Sequence, residues 1–198
     1  MARVALPAGW RERYVGAMRA RAIGKIEVTA NRGQLVDYVQ RRNGGTLGEF
    51  WCMDAVGATG VDAFGKSWPL LLSGSCMQQR QWANKKGALR TRAEFDARRT
   101  QDPMLVAGWI FLVIDPTKPN DGPELKGHAH HTGSVGDVSE ATSAIAVNGP
   151  AGGFLTIEGN AADPKNPASR NGDGWYHGRE RGAPTDRATY EFIEVPAI

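Results

Sequence analysis

One join in the chain constrains the fold more than any other feature: at Asp102-Pro103 the residue pattern changes from helical to extended. Upstream, apolar residues recur at helical spacing. Trp10, Tyr14, Met18 and Ile23 mark a helix over about residues 8–22, and Leu35, Val36, Tyr38 and Val39 mark another from about Asn31 to Arg42, stopped by Asn43-Gly44-Gly45. Ser73-Gly74-Ser75-Cys76 reads as a further helix start, with Met77, Trp82 and Ala83 on the helix and Gly87 ending it. Residues 91–101 are charged and read as helix or loop. Downstream, Val106 to Ile114 is a continuous apolar run of strand length. Further strands are expected over His128–Asp137, Thr142–Val147, Phe154–Glu158, Trp175–His177 and Tyr190–Val195, joined by polar loops at 116–127, 148–153 and 159–173. Helices first and strands second predict an α+β domain, with N-terminal helices packed on an antiparallel β-sheet.

The 198 residues suffice for one domain with a real core. No internal repeat and no separate binding module is visible. Residues 1–29 are expected to form an N-terminal helical extension and 30–198 the single functional domain. A net charge of +3 is too weak to argue for nucleic acid, though it suits an anionic polymer. No apolar run is long enough to span a bilayer. The segment Met1–Pro7 lacks an apolar h-region, so no secretory signal peptide is expected. Two cysteines, Cys52 and Cys76, are too few for a disulfide framework, although they can pair.

Chemistry enters at Phe50-Trp51-Cys52-Met53-Asp54. A cysteine at the first turn of a helix meets free N–H groups and the positive end of the helix dipole, and both favour thiolate. The competing reading is a buried structural cysteine. Gly57 and Gly60 predict a short or broken helix here. A charged Asp54 opposes thiolate formation unless it points away.

Three of the four histidines lie in His128-Ala129-His130-His131-Thr132-Gly133. Strand alternation places His128 and His130 on one face and His131, Gly133 and Val135 on the other. Two chemistries follow. His131 can serve as base for Cys52, with open space beside it at Gly133 for a substrate backbone. Alternatively, His128 and His130 bind a metal, completed by Asp137 or His177. Farther on, Ile157-Glu158-Gly159-Asn160 supplies acceptors able to orient an imidazole.

The order Trp-Cys at a helix start, His-x-Gly on a strand and Glu-Gly-Asn after later strands resembles the CHAP and related papain-like peptidoglycan amidases and endopeptidases of bacteriophage endolysins. Asn31-Arg32-Gly33 with Val36 and Tyr38 resembles the family's helix before the cysteine. Thr156 to Asn160, followed by Arg170 and Arg179, resembles its phage and prophage segment. The likeness covers roughly residues 30–195. It implies a papain-like (CHAP/NlpC-type) fold, with Cys52 as nucleophile, His131 as general base, and Glu158 and Asn160 together as imidazole orienters, unranked. An oxyanion hole would use the Cys52 N–H, with Gln34 as a side-chain donor. Trp51, Trp68, Trp109 and Trp175 are candidate groove walls or, alternatively, core residues.

The implied activity is hydrolysis of an amide bond in bacterial peptidoglycan, either the sugar–peptide amide or a peptide crosslink, by a monomer with no cofactor, no metal and no membrane insertion. Some relatives bind calcium, but no Asp-x-Asp-type loop is present. The protein would collect in a host cytoplasm before reaching the wall or periplasm, or travel with a virion. A non-catalytic wall-binding or phage structural module of the same fold, and a zinc hydrolase using His128 and His130, are the rival readings.

Overall fold

The computed structural model describes residues 6–162, 165–166 and 172–195. Five helices precede most of the sheet: α1 (Trp10–Arg21), α2 (Gln34–Arg42), α3 (Cys52–Phe64), α4 (Cys76–Lys85) and α5 (Arg92–Gln101). Nine strands are described: β1 (Gly24–Lys25), β2 (Leu89–Thr91), β3 (Ile110–Asp115), β4 (His128–Val135), β5 (Asp137–Val138), β6 (Ile145–Ala146), β7 (Phe154–Ala161), β8 (Gly174–Arg181) and β9 (Thr189–Ile193). Seven of them form one antiparallel sheet in the order β1-β8-β7-β4-β3-β9-β2, and β5 pairs with β6 apart from it. The α+β class is therefore present as expected. Among the described residues, no helix is long and apolar enough to cross a membrane.

The apolar run that predicts β3 is continuous because this central strand is buried on both faces. Ile110, Leu112 and Ile114 join the core beneath α1 and α3, while Trp109, Phe111 and Val113 join a second core around Phe95 of α5. Helices thus cover both faces. In the second core Phe95 stacks on Phe192 with ring centroids 3.9 Å apart and meets Phe154 edge-on at 5.2 Å. A capping box between Thr91 and Glu94 starts α5, and Ser75 caps α4 by accepting from the Gln78 N–H at 3.2 Å.

Residues set apart as an N-terminal extension belong to the same unit. Trp10, Tyr14, Val15 and Met18 of α1 are buried in the core that also holds Cys52 and Ala55, and β1 pairs with β8 at the sheet edge. The spacing at 10, 14, 15 and 18 buries one stripe, each large side chain contributing roughly 1.5–3 kcal/mol.

The helix α3 corrects the expectation of a short or broken element: it runs unbroken for 13 residues. Its glycines are contact sites. A methyl at Gly57 would overlap the Asn43 amide, and one at Gly60 would overlap the Trp68 indole. The helix propensity lost at these positions is recovered by close packing.

Candidate active site

The first residues of α3 and α4 are Cys52 and Cys76, and their sulfurs lie 3.7 Å apart. Both residues are buried and line a groove of about 650 Å³. Among the described residues no side chain caps α3, which leaves its first-turn N–H groups to other acceptors. The Met53 N–H favours the Cys52 thiolate. A hydrogen bond from Cys76 is the largest influence holding the Cys52 thiol well below its usual range; burial opposes it, and the His131 ring assists. Cys76, as the donor, is held well above its own range by the same bond and by burial. Cys76 therefore does more than pack its helix: it is a neighbour of the candidate nucleophile.

The sheet contributes the imidazole. His131 Nε2 donates to Glu158 Oε2 across 2.8 Å, which leaves Nδ1 as the ring nitrogen for Cys52. Burial alone would lower the His131 pKa, but the influence of Cys52 and Glu158 outweighs it and raises the value to about 9. Glu158 is fully buried. Burial pushes its pKa up, yet the Arg181 guanidinium and then His131 hold it well below the usual carboxylate range. Arg181 grips it in a fork, Nε to Oε1 at 2.8 Å and Nη2 to Oε2 at 2.6 Å, and Thr156 Oγ1 donates to Oε1 at 2.7 Å.

A bulge sets the faces of β4. Val113 pairs with His131 and Ile114 with Ala129, so His130 has no partner in the register. His128, opposite Asp115, and His131, opposite Val113, therefore fall on one face, correcting the simple alternation. Gly133 is also corrected. A Cβ there would sit 2.6 Å from the Ile157 carbonyl oxygen, 2.8 Å from Phe111 and 2.9 Å from Glu158 Cγ. The absent side chain makes room for Glu158 and the neighbouring strand, with no space left for a substrate.

The remaining expected site residues are placed as follows. Asn160 lies in the groove wall, 5% exposed, with a left-handed φ of 55° and a buried Oδ1 that accepts no hydrogen bond from the described residues. Glu158 alone holds Nε2, which ranks the two orienters. Trp51 is fully buried, donates to Glu27 at 2.7 Å and packs beside Trp175, so it is core. Trp68, Trp109 and Trp175 are core as well. Gln34 is exposed at the start of α2 and lines a different surface groove with Tyr38 and Arg42, away from the thiols. Arg179 reaches Glu158 only at 4.0 Å, and Arg170 lies outside the described residues.

The metal-ligand set is divided. His128 Nδ1 bonds Asp121 at 2.7 Å, whereas His177 Nδ1 bonds Asp137 at 2.9 Å in a cluster with Arg19. Among the described residues no group of three His, Cys, Asp or Glu side chains is arranged to hold a metal ion.

Two further residues support the site, and the first of them is absent from the sequence reading. Arg80, 1% exposed, donates to Asp121, to Glu191 and to the carbonyls of Lys126 and Gly127. Asp121 also accepts the Ala129 N–H, so Arg80 anchors the start of β4. The stripe Cys76, Gln79, Arg80 and Ala83 is the buried face of α4, and its polar members disguise it. The second support is Asp54, fully buried, whose carboxyl is pushed up to about 8, first by desolvation, with Asn43 opposing and the Glu49 and Cys52 charges adding. A neutral Asp54 at lower pH removes the opposition to a thiolate that its position in the sequence suggests.

The fold and site together define an α+β protein bearing a thiol–imidazole–carboxylate chain at a groove. No family model, curated protein or solved structure matches the chain.

Proposed function

We propose that the protein is a papain-like cysteine hydrolase of the CHAP type, cleaving an amide bond of bacterial peptidoglycan. The observation that carries this reading is the convergence of Cys52, His131 and Glu158 beside a groove of about 650 Å³, with His131 hydrogen-bonded to Glu158 and acting in turn on the Cys52 thiol. A thiolate next to an imidazolium is an activated nucleophile paired with its own proton donor. The Cys52 thiolate attacks the substrate carbonyl. His131 Nδ1 gives its proton to the leaving amine, then accepts one from the water that hydrolyses the acyl-enzyme. Glu158 fixes the ring and stabilises its cationic form. Free N–H groups at the start of α3, that of Cys52 included, are available to the developing oxyanion. The mildly basic chain suits an anionic wall.

Purified cell walls test this directly. Wild-type protein is expected to release new amino groups, and mass spectrometry of the digest identifies the bond. Cys52→Ala is expected to stay folded and release none. Thiol alkylation is expected to inhibit, and a chelator to have no effect. Wall binding without any new amino group would replace this reading with that of a non-catalytic module.

A further inference from the structure

We propose that Cys52 and Cys76 form a redox pair, in which hydrogen peroxide oxidises the Cys52 sulfur and Cys76 captures it as an intramolecular disulfide. The proposal rests on the same reactive Cys52 as the function above, but its chemistry needs no wall substrate. Three observations converge. The sulfurs lie 3.7 Å apart, and a disulfide spans about 2.05 Å, so closure needs roughly 1.6 Å of approach from side-chain rotation. Both cysteines line the same groove, which admits a molecule as small as peroxide. Each is the first residue of its helix, at the positive end of the helix dipole, and at α3, which lacks a side-chain cap among the described residues, this favours the Cys52 thiolate.

The steps balance. The Cys52 thiolate attacks one peroxide oxygen; an S–O bond forms, the O–O bond breaks, and hydroxide leaves and is protonated to water. The sulfur is oxidised by two electrons to a sulfenic acid while the peroxide is reduced. Oxidation removes the Cys52 thiolate, whose hydrogen bond is the largest influence keeping Cys76 protonated. Cys76 then ionises and attacks the Cys52 sulfur. The S–S bond forms, the S–O bond breaks, and the second hydroxide takes a proton, with the His131 imidazolium as its nearest donor. In sum, two thiols and one peroxide give one disulfide and two waters. The disulfide silences the nucleophile and shields it from irreversible oxidation, and a dithiol reductant restores it.

The test exposes purified wild-type, Cys76→Ser and Cys52→Ser proteins to hydrogen peroxide, followed by intact-mass measurement and non-reducing peptide mapping. Wild type is expected to lose the mass of two hydrogens and both free thiols, to yield a linked peptide holding Cys52 and Cys76, and to recover both thiols with dithiothreitol. Cys76→Ser is expected to gain oxygen atoms on Cys52 that dithiothreitol does not fully remove. Cys52→Ser is expected to keep its Cys76 thiol. Wild-type Cys52 carrying two or three oxygens beside a free Cys76, or a Cys52 inert to peroxide, overturns the proposal. If Cys76→Ser does not fold by circular dichroism, Cys76→Ala takes its place, and the wild-type map decides on its own. A disulfide formed by a protein that hydrolyses no wall sustains this inference while removing the proposed function.

Discussion

His131 Nε2 lies 2.8 Å from Glu158 Oε2, and that one contact decides which ring nitrogen faces the sulfur. With Nε2–H committed to the carboxylate, Nδ1 is the atom that trades a proton with Cys52. Glu158→Gln keeps the shape and removes the charge. Hydrolysis of wall amides by this variant is expected to fall on the order of 10²–10⁴-fold, the usual worth of a positioned acid–base group. Steady-state kinetics on a defined peptidoglycan fragment checks this; an unchanged kcat/KM would remove Glu158 from the mechanism.

The pH profile follows from the same pair. Below the acid limb Cys52 holds its proton and is a poor nucleophile; above the alkaline limb His131 has lost the proton the leaving amine needs. The acid limb is expected well under the ordinary thiol value of 9.0, and the alkaline limb at about 9. In Glu158→Gln the alkaline limb is expected to move down, because one of the influences raising His131 is gone. A wild-type acid limb at the ordinary thiol value contradicts an activated Cys52.

Asp54 predicts a stability effect with a definite sign. Its folded pKa of about 8 exceeds the ordinary 3.8, so between those values the folded chain keeps a proton that the unfolded chain releases. Its contribution is full below about 3.8, declines as pH rises, and is lost above about 8, with a slope of up to about 1.4 kcal/mol per pH unit. Asp54→Asn is expected to flatten that decline. Urea midpoints of both proteins from pH 4 to 8 give the difference, and parallel curves would show that Asp54 ionises normally.

Gly57→Ala sets two effects against each other. Alanine gains about 0.8–1 kcal/mol of helix propensity. Against that, its methyl displaces the Asn43 amide, which donates to the Ser73 carbonyl at 2.8 Å and to Asp54 Oδ1 at 3.2 Å. Overpacking costs about 1–3 kcal/mol and a buried polar group left unpaired about 1–3 more. Clash and lost hydrogen bonds win, so chemical denaturation is expected to show a net loss of roughly 1–5 kcal/mol.

Much of this architecture could be read before folding because local signals and tertiary contacts agree. Ser75 before Cys76 announces its helix by capping chemistry, and β3 announces itself by uninterrupted apolar residues, whereas the Thr91–Glu94 capping box goes unread and leaves 91–101 as helix or loop. The two-residue β1 and three-residue β2 carry no periodicity long enough to detect; pairing with β8 and β9 makes them strands. Around the site, Cys52, His131 and Glu158 were each visible as residue types in order. What was hidden depends on register. The unpaired His130 turns the neighbouring histidines, and Gly133 is small for the sake of Glu158, a residue 25 positions later. Arg181 and Arg179 stand two apart on one strand, and only the fold gives Glu158 to the former.

The start of α3, where no side chain provides a cap, ties reactivity to cohesion. The Met53 N–H favours a charged Cys52 sulfur, which in that form takes part of the role a serine or aspartate oxygen plays in most helices. The molecule is thus best held together while its sulfur is charged. Alkylating that sulfur is expected to lower the melting temperature as well as block turnover, so inhibition and loosening of the helix would be two readouts of one lost electrostatic bond.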